Sequence, residues 1–520
     1  MPQVASRSLG ISFTAEPWSC WTRERKQIDK KVLIIGIDGL DPILVERWKG
    51  ELPHLARLEA EGAFLKLRSA FPPDSIPAWA SIYTGMNPTA HGMLQTIDYL
   101  SKGEKALDID FSSFHEKTFW DLAGKAGRRV CVVNPFLAYP VWPVNGVMVS
   151  GPVFVGGDVQ AYPESVLHEY SIPPLGGIVD FPTRKTLKSF CRNARGLTEA
   201  LAEFGLALFK REDWDLYFIC FLTADRIQHF LWRYCDAGDP TCPGDDDLKD
   251  TIKEFYVLFD EIIGRFWETA GDRWTLMVLS DHGHGRRSTK TLNLNEFLRQ
   301  KGYLASRVRR VKLLDPRFLI ERLKTKALEL MFQHDLEDIV ARLVKFLPMK
   351  RSLKDSSFIT DRGGSLAYAP DFAGRNPFGG VEICRAEVSR RGLDYEELRD
   401  QLMEEITRIR DPQNGKEVVQ WIAPREELGS GPHIGKYPDL IFQLDPEYGL
   451  SWGLHGGLVG INPTHKKISG GHRQDGVLLV ANAGREVARQ EPCLVDIAPT
   501  ILDLLKIPLE ERFQGSSLLR

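Results

Sequence analysis

Lys31–Asp41 reads KVLIIGIDGLD. Val32–Ile35 and, past Gly36, Ile37 form a short apolar run closed by a glycine-containing turn. Such a run predicts a strand buried on both faces. The run delivers the chain to Asp38-Gly39. In an open α/β sheet, chemistry sits beyond the carboxyl ends of the strands, so an acid there is placed to hold a metal. On its own Asp38 reads equally well as a helix cap or a turn aspartate.

The pattern recurs along the chain. Arg129–Asn134 (RVCVVN), Leu216–Leu222 (LYFICFL) and Trp274–Leu279 (WTLMVL) are further buried-strand runs, and Phe64–Leu67 predicts a short strand. Helical segments alternate with them. Asp41-Pro42 opens one that carries Leu52, Leu55 and Leu58, and Thr118–Ala126 and Leu248–Trp267 supply two more. Leu197, Leu201, Phe204 and Leu208 mark another by their spacing. A three-proline loop leads into the helical Ala78–Tyr83. This alternation predicts an α/β protein with a mostly parallel sheet and helices on both faces.

The rhythm changes at about residue 295. Residues 307–352 are rich in Arg, Lys and Leu at helical spacing, which suggests an inserted cap or a solvated basic face. Asp394-x-x-Glu397 reads as a capping box opening a helix over Leu398–Ile409. Strand character resumes in Asp439–Leu444 and Val477–Val480, and Val495–Leu505 closes the chain as an apolar helix. The expected organisation is an N-terminal extension (1–30), a core (31–294), an insertion or cap (295–430) and a return to the core (431–520).

The 520 residues are 43% hydrophobic and 26% charged, enough to bury a sizeable core. A net charge of −3 argues against a general nucleic-acid binder. No run approaches the length of a spanning helix, and residues 1–30 lack the apolar centre of a signal peptide. The eight cysteines form no C-x-x-C pair. Cys131 and Cys220 read as buried small apolar residues. A reducing, cytoplasmic setting is therefore expected, without a disulfide framework.

Three strand runs end near acids: Asp38, Asp225 and Asp281. Asp225 and His229 are one helical turn apart, and His282 adjoins Asp281. Carboxylate oxygen with imidazole nitrogen suits zinc, manganese or iron rather than calcium. Gly36, Gly39, Gly283 and Gly285 allow close backbone approach to such a site.

Six motifs then occur in order: IGIDGLD, FPPDSIPAWASIYTGMNPTAHG, TADRIQH, SDHGHG, SGGHRQDGVLL and VDIAPTILDLLKIP…FQG. Together, over residues 31–520, they resemble the alkaline phosphatase superfamily. Within it they are closest to the type I phosphodiesterase/nucleotide pyrophosphatase branch and its uncharacterised phosphohydrolase/phosphomutase group. The resemblance implies a three-layer α/β/α sandwich with an inserted helical cap. It implies one metal site at Asp38, Asp281 and His282, also touching the nucleophile, and a second at Asp225, His229 and His472. Ser75 stands at the nucleophile position. The implied cofactors are two divalent transition-metal ions, zinc first, with manganese or iron as alternatives.

The expected activity is phosphoester hydrolysis, diesters before monoesters, through a phospho-serine intermediate. Candidate substrates are small phosphate esters, nucleotides, and glycan or lipid head groups. The alternatives are phosphotransfer to a glycan or lipid head group, and a non-catalytic binding protein on the same fold. Ala78 replaces the asparagine that nucleotide pyrophosphatases carry three positions after the nucleophile. Trp79 replaces the arginine of the sulfatase motif. His284 reads as a residue behind the ligands, a substrate contact or a solvent-facing side chain, outside the metal sphere. His91 reads as support for the nucleophile helix, and His455 and His465 as surface-loop residues, with pocket lining the alternative.

Overall fold

The computed structural model describes residues 30–94, 114–153, 157–177, 181–306, 330, 360–488 and 491–520. Its central sheet has eight strands: β1 (Lys31–Ile37), β2 (Gly62–Arg68), β3 (Val130–Val133), β4 (Gly146–Ser150), β5 (Gln160–Tyr162), β6 (Leu216–Phe221), β7 (Trp274–Leu279) and β8 (Asp475–Ala481). Their spatial order is β2-β8-β7-β1-β6-β3-β4-β5. The five strands from β7 to β4 are parallel, and β5 and β8 run antiparallel to their neighbours.

β1 is central, and all seven of its residues are buried. Successive strand side chains point to opposite faces. Leu33, Ile35 and Ile37 accordingly join one core, and Val32 and Ile34 another. The first core is closed by α1 (Pro42–Trp48), α3 (Leu187–Arg211), α4 (Thr223–Cys235) and α5 (Thr251–Ala270). The second is closed by α2 (Ser75–Thr84) and α6 (Ile497–Leu504). This is the three-layer α/β/α sandwich. Full burial of an aliphatic side chain of this kind is worth about 1.5–3 kcal/mol, so β1 is held by packing on both sides. Cys131 and Cys220 are buried within β3 and β6.

Residues beyond β7 build a second, four-stranded antiparallel sheet in the order Ala367–Tyr368, Phe378–Ile383, Leu440–Leu444, Val419–Pro424. Its own core includes Val381, Leu402, Ile406 and Phe442. Leu440–Leu444 belongs to this sheet, so the strand read at Asp439–Leu444 is not yet part of the large sheet, which the chain rejoins at β8. The helix after Asp394 spans Tyr395–Thr407, starting earlier than the apolar spacing implies. Asp394 accepts the Glu397 backbone N–H and starts the helix immediately. Apart from Leu330, the basic segment 307–352 lies outside the described residues. Among the described residues, no helix is long and apolar enough to cross a membrane.

Candidate active site

β7, β1 and β6 are adjacent, so their carboxyl ends bring Asp281, Asp38 and the start of α4 side by side. Asp38 directly follows β1, and its N–H donates to Phe221 O at the end of β6 (2.9 Å). Asp281 follows Ser280 at the end of β7, and Asp225 lies in the first turn of α4. All three carboxylates are buried. Gly39, with φ +72°, donates its N–H to Asp281 Oδ1 (3.1 Å), and a Cβ there would fall 3.1 Å from Asp225 Cα. Only glycine fits this junction without strain.

Ser75 is the first residue of α2, whose N-terminus is capped by Asp74. Its Oγ lies 3.2 Å from Asp38 Oδ1 and 3.1 Å from His282 Nε2. His282 Nδ1 faces its neighbour's carbonyl, Gly283 O, at 3.0 Å. That contact assigns the proton to Nδ1 and leaves Nε2 as a lone pair. Nε2 also lies 3.3 Å from Asp281 Oδ2, a buried oxygen with no hydrogen-bond partner.

The second cluster repeats this logic. His229 Nδ1 faces Gly470 O and His472 Nδ1 faces Pro73 O, each at 3.0 Å. The two Nε2 atoms are then 3.0 Å apart and lie 3.2 and 3.3 Å from Asp225 Oδ1. Lone pairs converging this closely require a positive charge between them. Burial alone would lower the His472 pKa, but the hydrogen bond and charge of Asp225 raise it to about 9. Burial, then the charges of Asp281 and Asp225, push Asp38 well above the usual carboxylate range. Asp281 is raised to about 7, chiefly by burial. These crowded oxygen and nitrogen donors fit divalent cations. Two triads, Asp38–Asp281–His282 and Asp225–His229–His472, each place their donor atoms within 4.8 Å of one another.

Residues 32–372 match the family model for type I phosphodiesterase / nucleotide pyrophosphatase. The chain belongs to that family. Its members hydrolyse phosphate ester bonds, and this phosphodiesterase-family chain is an enzyme of that class. No curated protein matches it significantly. Among solved structures, it is similar to phosphonoacetate hydrolase from Sinorhizobium meliloti 1021 in complex with phosphonoacetate. Identity is 14%, coverage is 92% of this chain and 95% of that one, and the TM-score is 0.51. The complex of that hydrolase with phosphonoformate gives 0.50 at the same identity and coverage. Human ectonucleotide pyrophosphatase / phosphodiesterase 5 aligns with 94% of this chain and all of its own, at 13% identity and a TM-score of 0.43. The likeness to the phosphonoacetate hydrolase speaks to the fold alone.

The expected site residues Asp38, Ser75, Asp225, His229, Asp281, His282 and His472 thus lie in one connected cluster. His284 is closer to it than the sequence suggests. It is buried, so it does not face solvent, and with Asp225 and His282 it forms a third triad of possible ligands. Neither of its ring nitrogens has a hydrogen-bond partner. His284 pairs in register with His472, and both follow a glycine. That shared Gly-His pattern was the available sequence signal. His91 contacts α2, the helix that Ser75 opens, with Nε2 3.0 Å from Ser81 Oγ. His465 is no surface residue: it is buried, with Nε2 2.8 Å from Asp239 Oδ2. His455 is half-buried, and its N–H donates to Glu296 Oε2 (2.7 Å).

Trp79 has a role that motif reading missed. Its Nε1–H donates to Asp38 Oδ2 (3.0 Å), which fixes the carboxylate with Oδ1 toward Ser75. A Cβ at position 36 would lie 2.6 Å from the Trp79 ring, so Gly36 makes room for it. Trp79→Phe keeps most of the volume and removes the donor. Metal affinity is expected to fall about 10–100-fold, as for other residues that orient a ligand. Competitive chelator titration checks this, and unchanged affinity would refute the role.

Proposed function

We propose that this family member is a metal-dependent phosphodiesterase in which Ser75 attacks phosphorus and carries the phosphoryl group as a phospho-serine. The observation that carries the reading is the placement of Ser75 Oγ, 3.2 Å from Asp38 Oδ1 and 3.1 Å from His282 Nε2, at the start of a helix. Asp38, Asp281 and His282 would hold one ion, and Asp225, His229 and His472 the other. Such a pair supplies charge neutralisation for the attacking and leaving oxygens of an in-line displacement.

The chain's own residues set the geometry. Ser75 Oγ faces Asp38 Oδ1 and His282 Nε2, the donor atoms that would hold the nearer ion, so the charge they gather would favour loss of the hydroxyl proton to solvent as Oγ attacks. At the start of α2 the Ile76 N–H is held by Asp74 Oδ1, Pro77 has none and the Ala78 N–H donates to Asp74 O, so the helix would favour the transferring phosphoryl group through the positive end of its dipole. Trp79 keeps Asp38 from rotating away. As the Oγ–phosphorus bond forms, the ester bond from phosphorus to the leaving alcohol breaks and that alcohol takes up a proton; water then attacks the phosphorus of the phospho-serine, the Oγ–phosphorus bond breaks, and Oγ recovers a proton as the phosphate monoester departs.

Chelation is the direct test. Exhaustive dialysis against a chelator is expected to abolish turnover of bis-p-nitrophenyl phosphate and to lower Tm. An ion at 100 times its Kd contributes about 2.7 kcal/mol to stability. Re-addition of Zn²⁺, Mn²⁺ or Fe²⁺ singly reports which ion restores activity, with zinc expected first. If metal-replete protein turned over no phosphate ester, the reading would fail.

A further inference from the structure

Two guanidinium groups outside the clusters described above lack what buried cations need. Arg287 and Arg375 each have an Nη1 that is closed to solvent and makes no hydrogen bond. Among the described residues, neither side chain has an ion-pair partner within 4.0 Å. Arg375 is close enough to disfavour the charge on Arg287: burial first, and then Arg375, lowers the Arg287 pKa to about 10. Asp371 offsets part of the burial cost for Arg375, and no acid does so for Arg287. A buried charge is tolerated when paired, and two like charges are not paired by each other.

Their anchors contact the segments that lead to His472 and to Ser75. The Arg287 N–H donates to Ser469 O (2.7 Å), and a Cβ on Gly471, the neighbour of His472, would lie 3.4 Å from Arg287 Cγ. Arg375 follows Phe372, whose ring packs on Phe71 (6.5 Å between centroids), four residues before Ser75. A Cβ on Gly449 would meet both Arg375 O, at 2.3 Å, and Ser288 Cβ, at 3.3 Å, so the two arginine-bearing segments meet there. Arg287 also lines a cleft of about 290 Å³ together with Trp232, whose ring stacks on His284 at 5.8 Å. The acids of that cleft are already taken. Asp445 and Glu447 pair with Lys416, each at 3.1 Å, and Asp236 lies 3.7 Å from Arg286.

We propose that Arg287 and Arg375 form a subsite for a second anionic group on the substrate, a phosphate or carboxylate set apart from the scissile phosphodiester. This rests on the phosphodiesterase reading and narrows its substrate class to esters with an additional negative charge. A planar guanidinium pair suits either group, because each presents two oxygens to a forked donor.

Three diesters with one leaving group test it: p-nitrophenyl ethyl phosphate, p-nitrophenyl 2-carboxyethyl phosphate and p-nitrophenyl 2-phosphoethyl phosphate. Wild-type, metal-replete protein is expected to favour at least one charged diester over the ethyl diester by about tenfold or more in kcat/KM, and the preferred one identifies the group. Arg287→Gln and Arg375→Gln should erase that preference through KM, and Arg→Lys should restore part of it. No preference in the wild type, or an equal loss on all three diesters, would overturn the subsite. Titration calorimetry with inorganic phosphate adds a readout besides turnover. The double Gln variant should lose one class of binding site present in the wild type, and equal binding by both proteins would overturn the proposal. If no diester were hydrolysed at all, the hydrolase reading alone would fail, and calorimetry would still decide the anion site. Matched Tm values confirm that the variants fold.

Discussion

Ser75→Ala is expected to lower kcat on bis-p-nitrophenyl phosphate by about a thousandfold or more, because removal of a covalent nucleophile leaves only binding and electrostatic assistance. The fold should not register the change. Ser75 opens α2, but the cap of that helix is Asp74, whose carboxylate accepts the Ile76 N–H (3.1 Å). Alanine is a good helix former, and the side chain is only half-buried. Tm should therefore match the wild type. Ion content distinguishes a nucleophile from a ligand. Three side chains besides Ser75 converge on the adjoining position, so two ions per chain should remain by elemental analysis. Loss of activity with both ions kept assigns chemistry to Ser75, and residual activity near the wild-type level would remove it from the mechanism.

The sequence shows much of this site because strand ends and helix turns are local features. Asp38 and Asp281 are legible as acids after apolar runs, and Asp225 with His229 as a pair one turn apart. His472 is not legible that way. It reaches His229 across 243 positions through the pairing of Gly470–Arg473 with Gly283–Arg286, and only motif order pointed to it. The same ladder buries His284, which composition cannot distinguish from a solvent-facing histidine. Trp79 reads only as the residue that replaces the sulfatase-motif arginine, and its indole bond to Asp38 depends on how α2 packs against β1. Leu440–Leu444 reads correctly as a strand, but its partners, Phe378–Ile383 and Val419–Pro424, make it part of the second sheet. A strand's own residues specify burial, and its sheet is fixed by contacts distant in sequence. Arg287 and Arg375 are 88 positions apart, and nothing local in either segment reveals that their charges meet.

Asp38→Asn is expected to remove the ion nearest Ser75, and nearly all activity with it, while leaving the apo fold at least as stable as the wild type. The sign follows from the charges around Asp38. Burial and the carboxylates of Asp281 and Asp225 raise its pKa well above the usual value. A carboxyl that binds its proton more tightly folded than unfolded favours the folded state at low pH, below the unfolded pKa. That contribution is lost as pH rises through the folded pKa. At neutral pH and above, an ionised Asp38 in ion-free protein is therefore a cost, and a divalent ion is what offsets it. Asparagine is neutral at every pH and can still accept the Trp79 indole N–H, now 3.0 Å from Asp38 Oδ2. After chelation, Tm of the variant at pH 8 should equal or exceed that of the chelated wild type. With metal added, the order should reverse, because only the wild type gains the full binding energy of both ions. Elemental analysis should give one ion per chain for the variant. A variant that kept both ions, or whose apo form melted well below the apo wild type, would show that Asp38 serves β1 and its turn rather than the metal.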